Sequence, residues 1–403
     1  MVQRTRRILV LLGPAFVAAV AYVDPGNFAA NFSAGAKYGF LLLWVLVVAN
    51  LMAMLVQYLS AKVGLVTGKS LPEVVGEKLG FKSRLAYWAQ AELVAISCDI
   101  AEVVGGAIAL NILFGLPLVV GGVITGIVSM ILLLAYQTRR TQIFERMIMA
   151  LLLIIPIGFI VGLIMKPAEP VQLLSGLAPR FDGTETVLLA TAMLGATIMP
   201  HVVYLHSALA RDRHGKVDQK QIRAYLKATR FDVGIAMVLA GSVNISMLVL
   251  AATALRGQEG TDTLQGIFHA LGTSVSPVVG FLFALSLLIS GFVSTSVGSQ
   301  AGAVIMHGLL KRKIHVLVRR LITLTPALIV LGFGIDPTQA LIVSQIGLSF
   351  GVPFALIPLA MITSSKRIMG EQTNHKAITY IVWGIAGVVS LLNCVLIVLT
   401  LVG

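Results

Sequence analysis

The chain has 403 residues, of which 57% are hydrophobic and only 12% are charged. A water-soluble protein of this length carries about a quarter charged residues, so this composition excludes a soluble globular protein. The formal net charge of +13 would suit nucleic acid as a partner if the basic residues formed one patch, but they are distributed along the whole chain.

Apolar runs long enough to cross a bilayer, about 20 residues each, recur from one end of the chain to the other. We predict eleven spans, at about 8–33, 40–61, 85–114, 117–136, 147–165, 185–210, 232–255, 274–308, 317–334, 338–364 and 378–402. Little sequence remains for a soluble domain. Residues 1–403 are therefore predicted to form one all-α integral membrane domain.

The 30 Lys and Arg residues divide unequally when the segments between spans are assigned alternately to the two membrane faces. One face carries only Lys37, Lys166, Arg180 and Arg256, and the other carries all the rest. Positive residues mark the cytoplasmic side. We therefore predict a cytoplasmic N-terminus and an extracytoplasmic C-terminus, with basic loops that face anionic lipid headgroups and need no nucleic acid.

The first span is interrupted in its middle by Asp24, Pro25, Gly26 and Asn27. Pro25 lacks an N–H and disfavours helix at the residue before it, while Gly26 tolerates an unwound backbone. Unwound backbone at membrane depth is tolerated only where it lines a cavity or is buried in protein. Carbonyls, the Asp24 carboxylate and the Asn27 amide are thus predicted to form a cation site; alternatively, Asp24 only caps the half-helix that follows.

The sixth span carries a second interruption, where Gly195 and Pro200 lie on either side of Met199. The two breaks are five spans apart, so the two halves of the chain would have opposite orientations. Interrupted helices at matching places in inverted halves point to the binding site of a transporter. The Met199 thioether is a soft ligand that favours Mn²⁺ or Fe²⁺ over Mg²⁺ and Ca²⁺, unless it is only packing filler.

Three acids, Glu92, Asp99 and Glu102, lie along the third span. Asp99 and Glu102 are three residues apart and share one helix face. Charges on one face within a membrane are typical of a proton relay, although they can also form structural ion pairs. Metal binding needs the carboxylate form of Asp24, which would link metal arrival to proton departure.

The break motifs DPGN at 24–27 and MPH at 199–201, the latter followed by LHSAL at 205–209, resemble the Nramp family of proton-coupled divalent metal transporters, particularly its bacterial manganese-transport branch. Further stretches that agree are CDIAEVVGGAIALNILFG (98–115), STSVGSQAGAVIMHGLL (294–310) and SQIGLSFGVPFALIPL (344–359). The resemblance covers essentially the whole chain.

The resemblance implies a leucine-transporter-like fold that works by alternating access. It would have two inverted five-helix repeats at about 8–165 and 185–364, with helices 1 and 6 broken, and an extra helix at about 378–402. It further implies a monomer in the bacterial inner membrane, without a permanently bound cofactor, that carries Mn²⁺ or Fe²⁺ with H⁺ as the coupling ion.

The resemblance also assigns residues. The family's metal ligands fall on Asp24, Asn27 and Met199, with the carbonyls of Ala21 and Ala196 and the side chain of Gln345 joining at particular stages of the cycle. Its proton pathway falls on Asp24, His201, Glu102, Asp99, Glu92, Arg319, Arg320 and His206. One departure is Ala303, which stands where the family usually has glutamine.

Other functional classes remain open on the residues alone. A metalloenzyme would use His201 and His206, but histidines five apart point about 140° apart on a helix and lack a nearby acid. A passive channel fits poorly with a closed ligand set that includes sulfur. A cation-coupled organic-solute symporter leaves Met199 unexplained, and a magnesium-transporting relative of Nramp is expected to lose it. The sequence therefore predicts a secondary active transporter, a proton-coupled metal symporter, and not an enzyme.

Overall fold

The structure is a computed structural model, and it describes residues 13–137, 141–312 and 314–402. Within these ranges the chain is almost wholly helical and has no β-strand, as the sequence predicts. The helices in the first half are α1 (Pro14–Ala21), α2 (Pro25–Tyr38), α3 (Leu43–Thr67), α4 (Leu71–Lys78), α5 (Phe81–Phe114), α6 (Leu118–Gln137), α7 (Thr141–Met165), α8 (Pro170–Ser175) and α9 (Gly183–Thr197). Those in the second half are α10 (Pro200–His214), α11 (Ile222–Ala254), α12 (Leu264–Ser274), α13 (Pro277–Leu310), α14 (Val316–Gly332), α15 (Pro337–Thr363), α16 (Lys366–Met369), a 3₁₀ turn (Gly370–Gln372) and α17 (Lys376–Val402).

Seven stretches of the described chain are long and apolar enough to cross a membrane. They are α3, α5, the pair α9 and α10 taken together, α11, α13, α15 and most of α17. Shorter apolar stretches lie in α6 and α7, α14 has only 17 residues, and the first predicted span is divided between α1 and α2. The multi-pass class is thus established, whereas the count of eleven spans stays a prediction. Residues 8–12 of the first span and the basic N-terminal residues lie outside the described residues.

Close packing at glycines brings α5 against both α2 and α13. A Cβ added at Gly105 would lie 2.0 Å from the Pro25 Cβ, and one at Gly291 would lie 3.0 Å from the Gly106 backbone. Small residues let membrane helices approach closely, and dispersion contacts then hold them together. The helix with the three acids therefore lies directly beside the first break.

On the membrane face that carries the basic loops, the short helix α4 packs against the C-terminal end of α10. Ser70 and Glu73 form a capping box at the start of α4, and Glu73 also forms an ion pair with Arg211. Burial raises the pKa of Glu73, but hydrogen bonds from Ser70 and the Arg211 charge outweigh burial and hold the pKa below its ordinary value. The Ser207 hydroxyl accepts a hydrogen bond from the Leu71 N–H at 2.7 Å and adds a second connection.

Candidate metal-binding site

Both predicted breaks are present, and each is followed by a half-helix that begins with proline. The first break separates α1 from α2 at Pro25, and the second separates α9 from α10 at Pro200. Since proline has no N–H, the carbonyl four residues earlier loses its helical partner. Those two carbonyls belong to Ala21 and Ala196, so local chemistry explains why these two oxygens lack a helical hydrogen-bond donor.

The other carbonyls of the first break already have partners. The Asn244 amide of α11 donates to the Tyr22 carbonyl at 2.8 Å, and the Ser290 hydroxyl of α13 donates to the Val23 carbonyl at 2.5 Å. Buried backbone oxygens need such partners. Sequence reasoning missed Asn244 and Ser290; the available signal was a polar residue within an apolar span.

Asp24 is fully buried and precedes α2. Its Oδ1 accepts hydrogen bonds from the Asn27 backbone N–H and from Asn27 Nδ2, both at 2.8 Å. Its Oδ2 accepts a hydrogen bond from Gln345 Nε2 of α15 at 3.1 Å. The capping role is therefore real, but it uses one oxygen only, and the second oxygen faces a different helix.

The Asn27 side chain connects the two breaks. Its Nδ2 also donates to the Ala196 carbonyl at 3.1 Å, across 169 residues of sequence. The remaining amide oxygens, Asn27 Oδ1 and Gln345 Oε1, are buried and have no hydrogen-bond partner among the described residues. Buried acceptors without donors are unfavourable, and a cation is a partner that suits them.

Met199 lies within the second break and is fully buried. It precedes Pro200 and follows Ala196, whose carbonyl contacts Asn27. A glycine in each break lets α15 approach: a Cβ at Gly26 would lie 1.7 Å from Gln345 Nε2, and one at Gly195 would lie 2.2 Å from the Gln345 carbonyl. The two breaks and α15 thus converge on one buried region.

Glu92, Asp99 and Glu102 form the acidic stripe of α5, and two of these acids contact the two arginines of α14. Arg320 donates to Asp99 Oδ1 at 2.7 Å and to the Ser129 hydroxyl at 3.0 Å, while Arg319 donates to Glu92 Oε1 at 2.7 Å. Both arginines are buried. Structural ion pairing, left open by the sequence, is therefore present at two of the three acids.

Glu102 differs from the other two acids. It is fully buried, and neither carboxylate oxygen makes a hydrogen bond within the described chain. Gly298 of α13 lies against it, since an added Cβ there would be 3.0 Å from Oε2. A buried carboxylate without a partner is stable only when it is protonated or close to a cation.

The two histidines of α10 have different surroundings. His201 Nε2 lies 3.4 Å from the Cys98 thiol of α5, and its Nδ1 has no partner in the described structure. His206 Nδ1 lies 2.7 Å from Gln57 Oε1, and Gln57 in turn donates to the Tyr22 hydroxyl at 2.6 Å. His201 thus adjoins the acids of α5, whereas His206 is hydrogen-bonded to Gln57 of α3.

Known proteins resemble this chain along nearly its whole length. The family model of natural resistance-associated macrophage protein-like (Nramp) proteins matches residues 15–399. The chain belongs to the Nramp family. It is 58% identical over 394 residues to the divalent metal cation transporter MntH of Mycobacterium tuberculosis, covering 98% of this chain and 92% of that protein. It is 45% identical over 397 residues to the MntH of Bacillus subtilis, covering 98% and 93%.

Solved structures agree with this Nramp assignment. The Eremococcus coleocola manganese transporter, in complex with an aromatic bis-isothiourea compound, superposes with a TM-score of 0.87 at 29% identity, covering 97% of this chain and 86% of that one. Mhp1, a nucleobase-cation-symport-1 family transporter, superposes with a TM-score of 0.60 at 16% identity over 87% of this chain and 77% of its own, which supports the fold alone. The predicted leucine-transporter-like fold is confirmed, and this Nramp protein is a transporter, not an enzyme.

Proposed function

We propose that this Nramp protein carries divalent transition-metal ions, Mn²⁺ and also Fe²⁺, into the cytoplasm together with protons. Its relatives bear the name divalent metal cation transporter, and its structural neighbour is a manganese transporter. The observation that carries the proposal is the contact between the two breaks, where Asn27 Nδ2 lies 2.8 Å from Asp24 Oδ1 and 3.1 Å from the Ala196 carbonyl.

The metal ligands are three side-chain oxygens, two carbonyls and one sulfur. Asp24 supplies the anionic ligand, Asn27 and Gln345 the amide oxygens, Ala21 and Ala196 the carbonyls and Met199 the thioether. Asn27 and Gln345 now present their nitrogens to Asp24, and their oxygens have no donors. Turning either amide by about half a turn around its terminal torsion, which is broad and two-fold, would present an oxygen to a cation beside Asp24.

Met199 determines which ions are accepted. Hard ions such as Mg²⁺ and Ca²⁺ prefer oxygen ligands throughout, whereas a thioether contributes to binding of softer transition metals. A magnesium transporter and an organic-solute symporter would each leave the buried Met199 of the second break without a function.

Proton movement is coupled to metal binding at Asp24, and the protons leave through the acidic stripe of α5. A metal ion needs the Asp24 carboxylate ionised, so its arrival releases a proton if the group was protonated. Glu102 relays that proton: burial without a hydrogen-bond donor favours its neutral form, so it passes its own proton on and takes up the one from Asp24. Asp99 and Glu92, held by Arg320 and Arg319, continue the route toward the cytoplasm. His201, beside Cys98, belongs to the route, whereas His206 supports α10 against α3.

The protein works as a monomer in the bacterial inner membrane by alternating access. Its inverted repeats span about 8–165 and 185–364, with the extra helix at about 378–402. The N-terminus lies in the cytoplasm and the C-terminus outside, because the basic loops lie on the N-terminal side. Rocking of one repeat against the other around the two breaks would open the site to each side in turn.

Uptake into proteoliposomes tests the proposal directly. We expect saturable Mn²⁺ entry that is faster with an inward proton gradient, is inhibited by Fe²⁺ and does not need sodium. Internal pH is recorded in the same vesicles, so that proton entry driven by Mn²⁺ is measured separately. Metal entry at a rate independent of the proton gradient would refute proton coupling. Absence of metal entry in vesicles containing folded protein would refute Mn²⁺ as a substrate.

A further inference from the structure

The face with few basic residues contains a cavity of about 620 Å³. Three of the four basic residues of that face, Lys37, Arg180 and Arg256, line it. They come from the end of α2, the segment before α9 and the segment after α11. Since these segments are far apart in sequence, the convergence of their charges is a property of the fold.

Two of the three cations have no side-chain partner among the described residues. Lys37 forms an ion pair with Glu185 at 2.7 Å. Arg180 and Arg256 make no side-chain hydrogen bond or ion pair within the described residues, and Asp182 is the one acid among the lining residues. Two guanidinium groups that share a cavity can each offer paired N–H donors, which is the arrangement that binds phosphate oxygens.

Exposed apolar residues that adjoin the lining residues in the chain form an apolar rim beside the cavity. On α8 the side chains of Val171 and Leu174 are 77% and 69% exposed, and Phe181 is 43% exposed. The Trp44 ring packs against Phe181 with centroids 5.4 Å apart, and its Nε1 donates to the Arg180 carbonyl at 3.3 Å. Exposed aliphatic side chains beside an amphipathic Trp are typical of the membrane interface, where lipid covers them.

We infer that this cavity binds the headgroup phosphate of an anionic phospholipid. Arg180 and Arg256 hold the phosphate oxygens, and the acyl chains leave over α8. The volume suits a glycerophosphate headgroup, because small-ligand pockets measure about 300–1,000 Å³. Free phosphate would use the same guanidinium groups but gains nothing from the apolar rim.

A lipid bound here would restrain α2, the outer half of the first broken helix. Lys37 and Tyr38 form the last turn of α2, whose first turn carries Asn27. Arg256 lies over the end of α2 as well, since a Cβ at Gly39 would be 3.1 Å from its Nη1. The site is therefore separate from the metal ligands but attached to the same helix.

Quenching of Trp44 by brominated lipid measures the binding. With Trp88 and Trp383 replaced by phenylalanine, Trp44 is the only tryptophan, and it contacts the cavity wall. Quenching is measured in two kinds of vesicle: one with brominated phosphatidylglycerol and unbrominated phosphatidylcholine, the other with the bromine on phosphatidylcholine instead. The ratio of the two quenching values gives the preference for the anionic lipid. We expect a preference of about tenfold or more, since a charge-assisted hydrogen bond contributes about 1.5–3 kcal/mol.

Arg180→Gln and Arg256→Gln, singly and together, test the two guanidinium groups, and Lys166→Gln is the matched control. Lys166 is the remaining basic residue of this face and does not line the cavity. We expect the preference to fall toward unity in the double variant and to persist in the control, while Mn²⁺ uptake reports that each variant is folded. A preference for the anionic lipid that is as large in the double variant as in the wild type would overturn the site. Loss of the preference on adding millimolar inorganic phosphate would assign it to free anions and overturn the lipid.

Discussion

The Asn27 amide nitrogen lies within hydrogen-bond distance of both Asp24 Oδ1, at 2.8 Å, and the Ala196 carbonyl, at 3.1 Å. One side chain therefore joins the N-cap of one half-helix to the free carbonyl end of another. A cation that turns this amide would break both hydrogen bonds at once. At the proposed metal site, binding would therefore be coupled to the relative position of the two broken helices.

Asp24→Asn should abolish metal transport while preserving the fold. The substitution keeps the volume and the capping ability of the residue but removes the only anionic group among the proposed metal ligands. We expect the affinity for Mn²⁺ to fall by about 100-fold or more, by analogy with hydrogen bonds to charged groups that contribute up to about 3 kcal/mol. Calorimetric titration and uptake into vesicles measure the two effects.

Asp336→Asn is the matched control for that substitution. Asp336 also caps a helix before a proline, accepting from the Gln339 N–H at 2.7 Å, but it lies at the start of α15, away from the breaks. Its variant should transport normally. Uptake at the wild-type rate by the Asp24 variant would show that the carboxylate is only a cap.

Met199→Leu should reduce discrimination between metals more than it reduces stability. Leucine and methionine have similar volumes, so the packing cost is under about 1.5 kcal/mol, whereas the sulfur ligand is lost. We expect Ca²⁺ and Mg²⁺ to compete better against Mn²⁺ in uptake assays. Met193→Leu, in α9 before the second break and equally buried, controls for packing. Identical selectivity series for the two variants would remove the soft-ligand argument.

Asp99→Asn should destabilise the protein, because it leaves the Arg320 charge buried without its partner. Breaking a buried ion pair by removing one member costs about 3–5 kcal/mol, and the thermal unfolding midpoint in detergent should fall accordingly. Replacing Arg320 with glutamine in the Asp99→Asn variant should restore part of the lost stability. A double variant that is less stable than either single variant would argue against the pair.

Glu102→Gln should behave differently, although Glu102 lies only three residues from Asp99. Its carboxylate has no hydrogen-bond donor to lose, so the unfolding midpoint should change little. Proton entry driven by Mn²⁺ should fall more than Mn²⁺ binding, since a carboxamide does not accept a proton at neutral pH. Lost metal binding with unimpaired proton flux would assign Glu102 to the metal site and not to the proton route.

The Glu73–Arg211 pair should make stability depend on pH in the acidic range. The pKa of Glu73 is lower in the folded protein than its ordinary value of 4.5, so its stabilising contribution is complete above that value. This contribution is lost as pH falls below 4.5 through the lowered pKa of the folded protein. The unfolding midpoint of Glu73→Gln should therefore lie below that of the wild type at pH 7, and the gap should close at acidic pH.

Glu77→Gln is the control for this titration. Glu77 lies on the same short helix and pairs with Lys69, but its side chain is about half exposed, and surface pairs contribute little. Its unfolding midpoint should follow the wild type at every pH. A constant difference between Glu73→Gln and the wild type across the acidic range would show that packing, and not charge, is lost.

The positions of the two breaks could be predicted from the sequence because their causes are local. Proline removes an N–H wherever it occurs, so Pro25 and Pro200 each free a carbonyl in any membrane helix. Composition likewise determined the multi-pass class, since lipid accepts only backbone that satisfies its own hydrogen bonds. The number of spans was harder to predict, because interrupted helices and short helices such as α14 fall below the length of about 20 residues that a membrane span needs.

Only the tertiary structure decided which of the chemically similar groups are paired. Asp99 and Glu102 look alike in the sequence, yet Asp99 binds an arginine 221 residues away and Glu102 binds none of the described residues. The partners Asn244 and Ser290, and the presence of Arg180 and Arg256 at one cavity, likewise cannot be read from the order of residues in the chain. Helix breaks depend on neighbours along the backbone, whereas ion pairs and cavities depend on which distant helices pack together, and that packing is set by the whole fold.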